Sequence, residues 1–127
     1  SSLSNISLSS SVTKINEFSF SSCKNLKSIE FPLDIKLLTI SPYSFSYSSL
    51  ESITIPLSVT KIENGAFYYC NFLKSINFIQ GTELQSIGKD SLTGTSIEKI
   101  IIPSTVDFIG DFGISKCSKL KKNRIFI

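Results

Sequence analysis

The sequence predicts a repeat solenoid. This is one coil with a parallel β-sheet on one side and short strands or 3₁₀ turns on the other. Two observations predict it. Apolar residues open equivalent units at Leu3, Leu26, Leu50, Leu73, Ile97 and Leu120, spaced 23, 24, 23, 24 and 23 residues apart. Residues two units apart, at a separation of 47, also match column by column: Val12, Val59 and Val106; Ile15, Ile62 and Ile109; Phe20, Phe67 and Ile114; Cys23, Cys70 and Cys117. The alternate half-period matches Leu37 to Leu84, Ile40 to Ile87, Ile53 to Ile100 and Pro56 to Pro103. A unit this short cannot bury its apolar side alone and needs a like neighbour to stack on.

Within the clearest unit, Leu50 to Phe72, each element has a local reason. Ile53 and Ile55 share one face of a strand by the period of two, which turns Ser52 and Thr54 outward. Pro56 has no amide hydrogen to give and ends the strand. Every unit advances the same way, so the main strands 3–8, 26–31, 50–55, 73–78 and 97–102, and a partial one near 124–127, are parallel. VTKI at 12–15 and 59–62, LLTI at 37–40 and LQSI at 84–87 add short extended pieces on another side. ENGAFYYC and NEFSFSSC read as single helical or 3₁₀ turns, too short to stand alone, which point Phe20, Phe67 and Cys70 inward. Truncating Phe67 to Ala is expected to cost about 3–5 kcal/mol. Phe18, Phe31, Phe72, Phe78, Phe108, Phe112 and Phe126 are expected mostly in or beside core slots. Packing is likewise the preferred reading of Tyr43, Tyr47, Tyr68 and Tyr69, over an exposed binding patch.

Two columns test the register. The residue after each opener runs Ser4, Lys27, Glu51, Lys74, Glu98, Lys121, so slipping by one unit sets like charge against like. Second-neighbour strands lie about 10 Å apart, beyond the roughly 7 Å a disulfide spans. The three cysteines are therefore expected as free, buried thiols, with Tyr47 and Gly94 near the same slot in the intervening units.

The units L-x-S-I-x-I-P, S-V-T-K-I and G-A-F-x-x-C, as in LESITIP at 50–56, SVTKI at 58–62, GAFYYC at 65–70 and IIIPSTV at 100–106, resemble the BspA-like class of leucine-rich repeats. The departures are Ile79 in the proline slot, Gly113-Ile114 for Ala-Phe and Asn123 in an isoleucine slot. The resemblance covers essentially the whole chain and implies a right-handed leucine-rich-repeat coil. Residues 1–127 are then a single domain of about five repeats, with a partial one at Leu120. The opening Ser-Ser and the apolar ends, Leu3, Ile6 and Leu8 against Ile125, Phe126 and Ile127, suit a fragment of a longer array or ends that stack on each other.

Composition narrows the function. The chain has no His, which removes Ser-His, Cys-His and His-metal sites. Its ten acids are scattered singly, and its glycines form no phosphate loop. No enzyme and no cofactor are expected. No apolar run approaches the roughly 18 residues of a membrane span, and Ile100 to Ile102 reads as a strand. The net charge of +3 is local to Lys116, Lys119, Lys121, Lys122 and Arg124. That cluster could meet an acidic partner or nucleic acid, but a solvated end is preferred and no nucleic-acid partner is assigned.

What remains is an extended outward surface that binds protein. Its rows are Ser7, Glu30, Thr54, Asn77, Ile101 and Arg124, beside Asn5, Ser28, Ser52, Ser75, Lys99 and Lys122. The resemblance implies attachment to host cells or matrix and a cell-surface or secreted location. The alternative is an intracellular, cytoplasmic scaffold within a larger assembly. Asn5-Ile6-Ser7 is an N-x-S sequon at an outward position; in so Ser-rich a chain, a chance tripeptide is preferred to a glycosylation site.

Overall fold

The computed structural model describes residues 4–98, 100–110 and 125–126. It is a β-solenoid of about five turns with parallel sheets and, among the described residues, no helix. The strands in chain order are β1 (Asn5–Ser7), β2 (Ser28–Glu30), β3 (Thr39–Ile40), β4 (Ser52–Ile55), β5 (Lys61–Ile62), β6 (Ser75–Phe78), β7 (Ser86–Ile87), β8 (Ile101–Ile102), β9 (Phe108–Ile109) and β10 (Ile125–Phe126).

One face carries the main strands. β1 pairs with β2, β4 with β6, and β8 with β10, all parallel, and β2 lies alongside β4. A second face is a four-stranded parallel sheet ordered β3-β5-β7-β9. The expected extended piece at 12–15 forms no strand, though Ile15 is buried and its carbonyl accepts the Ser41 hydroxyl. Each main strand ends in a turn closed on the proline slot. Val59 N donates to Pro56 O at 3.1 Å, Ile35 N to Pro32 O at 3.2 Å and Val106 N to Pro103 O at 3.1 Å. Ile79 accepts the same kind of bond from Thr82 N at 3.0 Å, so the slot needs a free carbonyl and not the proline ring.

Like residues line up through the core. The openers Leu26, Leu50, Leu73 and Ile97 are fully buried, as are Leu37, Val59 and Leu84. Ring centroids of Phe20 and Phe45 lie 5.2 Å apart and those of Phe45 and Phe67 5.6 Å, with planes nearly parallel. The alternating-charge column is also real. Lys27 N donates to Ser4 O, Glu51 N to Lys27 O at 3.0 Å and Lys74 N to Glu51 O at 2.9 Å.

The third face differs from the expected helical or 3₁₀ turns. Alternate amides close bonds within the coil, with Ser44 N to Ser41 O, Ser46 N to Tyr43 O and Ser48 N to Phe45 O. The amides between them leave the coil, with Tyr43 N to Asn64 O, Phe45 N to Ala66 O and Tyr47 N to Tyr68 O. A 3₁₀ run would spend every amide internally; this arrangement gives half of them to the neighbour and welds the coils together. The backbone accommodates it with left-handed residues at fixed places. Phe18, Tyr43, Gly65 and Asp90 form one column at φ of 61°, 55°, 65° and 57°, and Ser22, Tyr47, Tyr69 and Gly94 form the other at 61°, 60°, 52° and 82°. Each is the third residue of a hydrogen-bonded turn, where type II geometry requires φ above zero.

That register corrects the cysteine column. The residues aligned with Cys23 and Cys70 are Ser48 and Thr95, both buried, and not Tyr47 and Gly94. Cys70 Sγ sits 3.5 Å from Ser48 Oγ and donates to Phe45 O at 2.9 Å. Cys70 and Cys23 are free; Cys70 is buried and Cys23 only half-buried, while Cys117 lies outside the described residues. Three phenylalanines placed in or beside the core are exposed instead: Phe18, Phe72 and Phe108, at 57%, 59% and 60%. Phe31 and Phe78 do pack on the core, and Phe112 and the side chain of Phe126 lie outside the described residues.

Candidate protein-binding face

On the main-strand face, alternation sends Ile29, Ile53 and Ile76 into the core and leaves their neighbours outward. Strand pairing puts Asn5 beside Ser28, Ser7 beside Glu30, Ser52 beside Ser75 and Thr54 beside Asn77. The two expected rows therefore exist over four coils. Ser7 donates to Glu30 Oε1 at 3.0 Å, and the Ser28 hydroxyl donates to the side-chain oxygen of Asn5. Asn5 is exposed, and that bond engages its side-chain oxygen and not the nitrogen a glycan would take.

The end of the row needs correction. Ile101 pairs with Ile125, so the register continues there and not at Arg124. Arg124, Lys122 and Lys99 lie outside the described residues.

Two hollows open on this face. The first, about 570 Å³, is lined by Ser7, Ser28, Glu30, Ser52 and Thr54. Its far rim is Leu33 and Leu57, exposed leucines that follow the proline slots and that the sequence reading did not single out. The second, about 660 Å³, is lined by Ser75, Asn77 and Ile101, with Phe78, Gly81 and Pro103 beyond them. Ile79 borders both. Eight of the twelve residues in the two expected rows thus line two adjoining hollows that share Ile79, a trough of hydroxyl and amide groups broken by apolar side chains.

The tyrosines sit on the turn face, away from this trough. Phe18 stacks on Tyr43 at 5.4 Å and Tyr47 on Tyr69 at 5.8 Å, and Tyr68 meets Tyr43, Tyr47 and Tyr69 edge-on. Packing among themselves accounts for them, although Tyr47 and Tyr69 stay partly exposed.

The buried Cys70 thiol is not set for covalent chemistry. Burial pushes the Cys70 thiol up to about 11, against small lowering contributions from Ser48. A thiol so protonated at neutral pH is a poor nucleophile. Among the described residues no cluster of His, Cys, Asp and Glu could hold a metal ion, and no helix is long and apolar enough to cross a membrane.

A family model described as the BspA type leucine rich repeat region matches residues 1–121 in six copies. The chain belongs to that family. BspA-type repeats are a protein-interaction fold. The pneumococcal vaccine antigen PcpA is similar at 27% identity and a TM-score of 0.81, over 97% of this chain and 29% of that one. A leucine-rich repeat protein from Bacteroides ovatus is similar at 30% identity and a TM-score of 0.80, over 92% and 32%. A leucine rich cell surface protein from Faecalibacterium prausnitzii shares the fold at 23% identity and a TM-score of 0.64, over 94% and 38%. The chain thus spans about a third of the length of the structures it matches. No curated protein sequence matches it.

Proposed function

We propose that this chain is a non-enzymatic adhesion module of a surface or secreted protein, binding a host or matrix protein through its main-strand face. One observation carries the reading: the outward rows of successive coils open into adjoining hollows on a single face. Such a trough suits an extended segment of a partner better than a small molecule, because its floor is repetitive and its walls are low. The location is supported by the similarity to the pneumococcal vaccine antigen PcpA. A glycan on Asn5, found by mass spectrometry of protein isolated from its source, would strengthen it.

The test is attachment of beads coated with this chain to cultured epithelial cells and to immobilised matrix proteins. Thr54→Trp plants a large ring beside the first hollow and is expected to cut attachment about fivefold. Lys61→Glu, on the second sheet, is expected to leave it unchanged. Equal attachment by both variants and the original, or none by the original, overturns the reading.

A further inference from the structure

The two hollows differ in charge. Among the described residues, Glu30 is the one charged side chain lining the first, and none lines the second. Glu30 is exposed, and its Oε1 is fixed by the Ser7 hydroxyl, so the carboxylate is held in place while remaining open to solvent. The second hollow instead offers Ile101, 45% exposed, with Phe78, Ile79 and Pro103 around it. Among the described residues, a partner therefore meets one fixed negative charge at one end of the trough and a partly apolar seat without a charged side chain at the other.

Spacing turns this into a sequence preference. Glu30 lies on β2 and Ile101 on β8, with β4 and β6 between them. Three strand spacings of about 4.8 Å separate them by about 14 Å. An extended peptide covers that distance in about four residues at roughly 3.3–3.6 Å each. We propose that the trough binds an extended peptide segment with a Lys or Arg on Glu30 and a large apolar side chain about four residues away on Ile101. The cation recovers on Glu30 the charge-assisted bonds it loses from water, and the apolar side chain covers Ile101. A lysine in the second hollow, or a glutamate in the first, finds no counter-charge among the described lining residues. This inference rests on the main-strand face being the binding face.

The test uses the full chain and fluorescence polarisation with fluorescein-labelled decapeptides. Each peptide carries one Lys, one Asp or neither, and one Leu or Phe at three to six residues from it. Lys peptides with the apolar residue about four positions away are expected to bind best. Glu30→Lys is expected to weaken them about tenfold and to bring the Asp peptides up by a similar factor. Ile101→Ser is expected to weaken every bound peptide regardless of its charge. Both side chains are exposed, and an unchanged thermal melt shows that the variants keep the fold. No peptide binding above a scrambled control, no dependence on spacing, or a Glu30→Lys variant that keeps the Lys preference overturns the proposal. If Thr54→Trp abolishes bead attachment while these peptides fail, the face stands and the peptide chemistry falls. If Thr54→Trp changes nothing, the face itself falls.

Discussion

The ring of Tyr43 lies over the backbone of Gly65 in the next coil. A methyl group placed on Gly65 would sit 2.6 Å from Tyr43 Cδ1. The two residues occupy one column, both with positive φ, and Tyr69 lies over Gly94 in the same way in the adjacent column. Glycine is therefore set below a tyrosine in each column, where the neighbouring ring leaves no room for a side chain.

Gly65→Ala should be among the costliest small changes on the turn face. It adds a left-handed penalty of about 1 kcal/mol and must also displace the Tyr43 ring, for a total of about 2 kcal/mol or more. Gly81→Ala, at a φ of 93° and with only Leu57 Cδ1 at 3.7 Å, should cost about 1 kcal/mol. Urea titration of both variants checks the order, and the reverse order would contradict the stacking.

Ser44 and Ser91 are fully buried, and among the described residues neither hydroxyl has a hydrogen-bond partner. Ala66 occupies their column in the coil between them. Ser44→Ala and Ser91→Ala should each stabilise the fold by about 1 kcal/mol, and their effects should add because the sites are two coils apart. Thr95→Val should act oppositely, since its hydroxyl donates to Leu92 O at 2.9 Å. Thermal melts of the four proteins decide it; a destabilised Ser44→Ala would show that the hydroxyl is satisfied.

Cys70 should make stability depend on alkaline pH. Burial raises its pKa to about 11 from 9.0, so the folded state holds a proton that the unfolded chain releases. That contribution is complete below about pH 9 and is lost as pH rises toward 11, by roughly 2–3 kcal/mol. Cys70→Ser places in the slot the residue already present at Ser48 and should flatten the stability curve over that window. An unchanged curve would mean that the thiol is solvated when folded.

Phe67→Ala should cost about 3–5 kcal/mol, because the ring is wholly buried and stacked on Phe45. Phe18→Ala, in an exposed ring, should cost less than about 1 kcal/mol. Chemical denaturation separates the two, and equal costs would place Phe18 in the core after all.

The strand face was readable residue by residue. Ser52, Thr54, Ser75 and Asn77 point outward because a strand alternates and its apolar partners must face in. The turn face was not. Counting back from the openers put Tyr47 and Gly94 in the cysteine slot, yet Phe45 to Leu50 spans one residue fewer than Phe67 to Leu73. Counting from the stacked rings gives Ser48. The Ser-Pro-Tyr, Glu-Asn-Gly and Leu-Thr-Gly runs carry the missing signal, since proline second or glycine third suits a type II turn. The exposed Leu33 and Leu57 carry no such signal, because a single leucine after a proline looks like any surface apolar residue.

The periodicity by itself determined the coil, its parallel strands and the vertical columns, because a 47-residue repeat of apolar positions has only one economical way to bury them. Only the folded coil decided how the columns slide. On the second sheet the matched residues Ile40, Ile62, Ile87 and Ile109 are 22, 25 and 22 apart, whereas Ile53 and Ile76 on the main face are 23 apart. Connections lengthen on one corner and shorten on another, and the hydrogen bonds between coils, not the spacing along the chain, settle which residues meet.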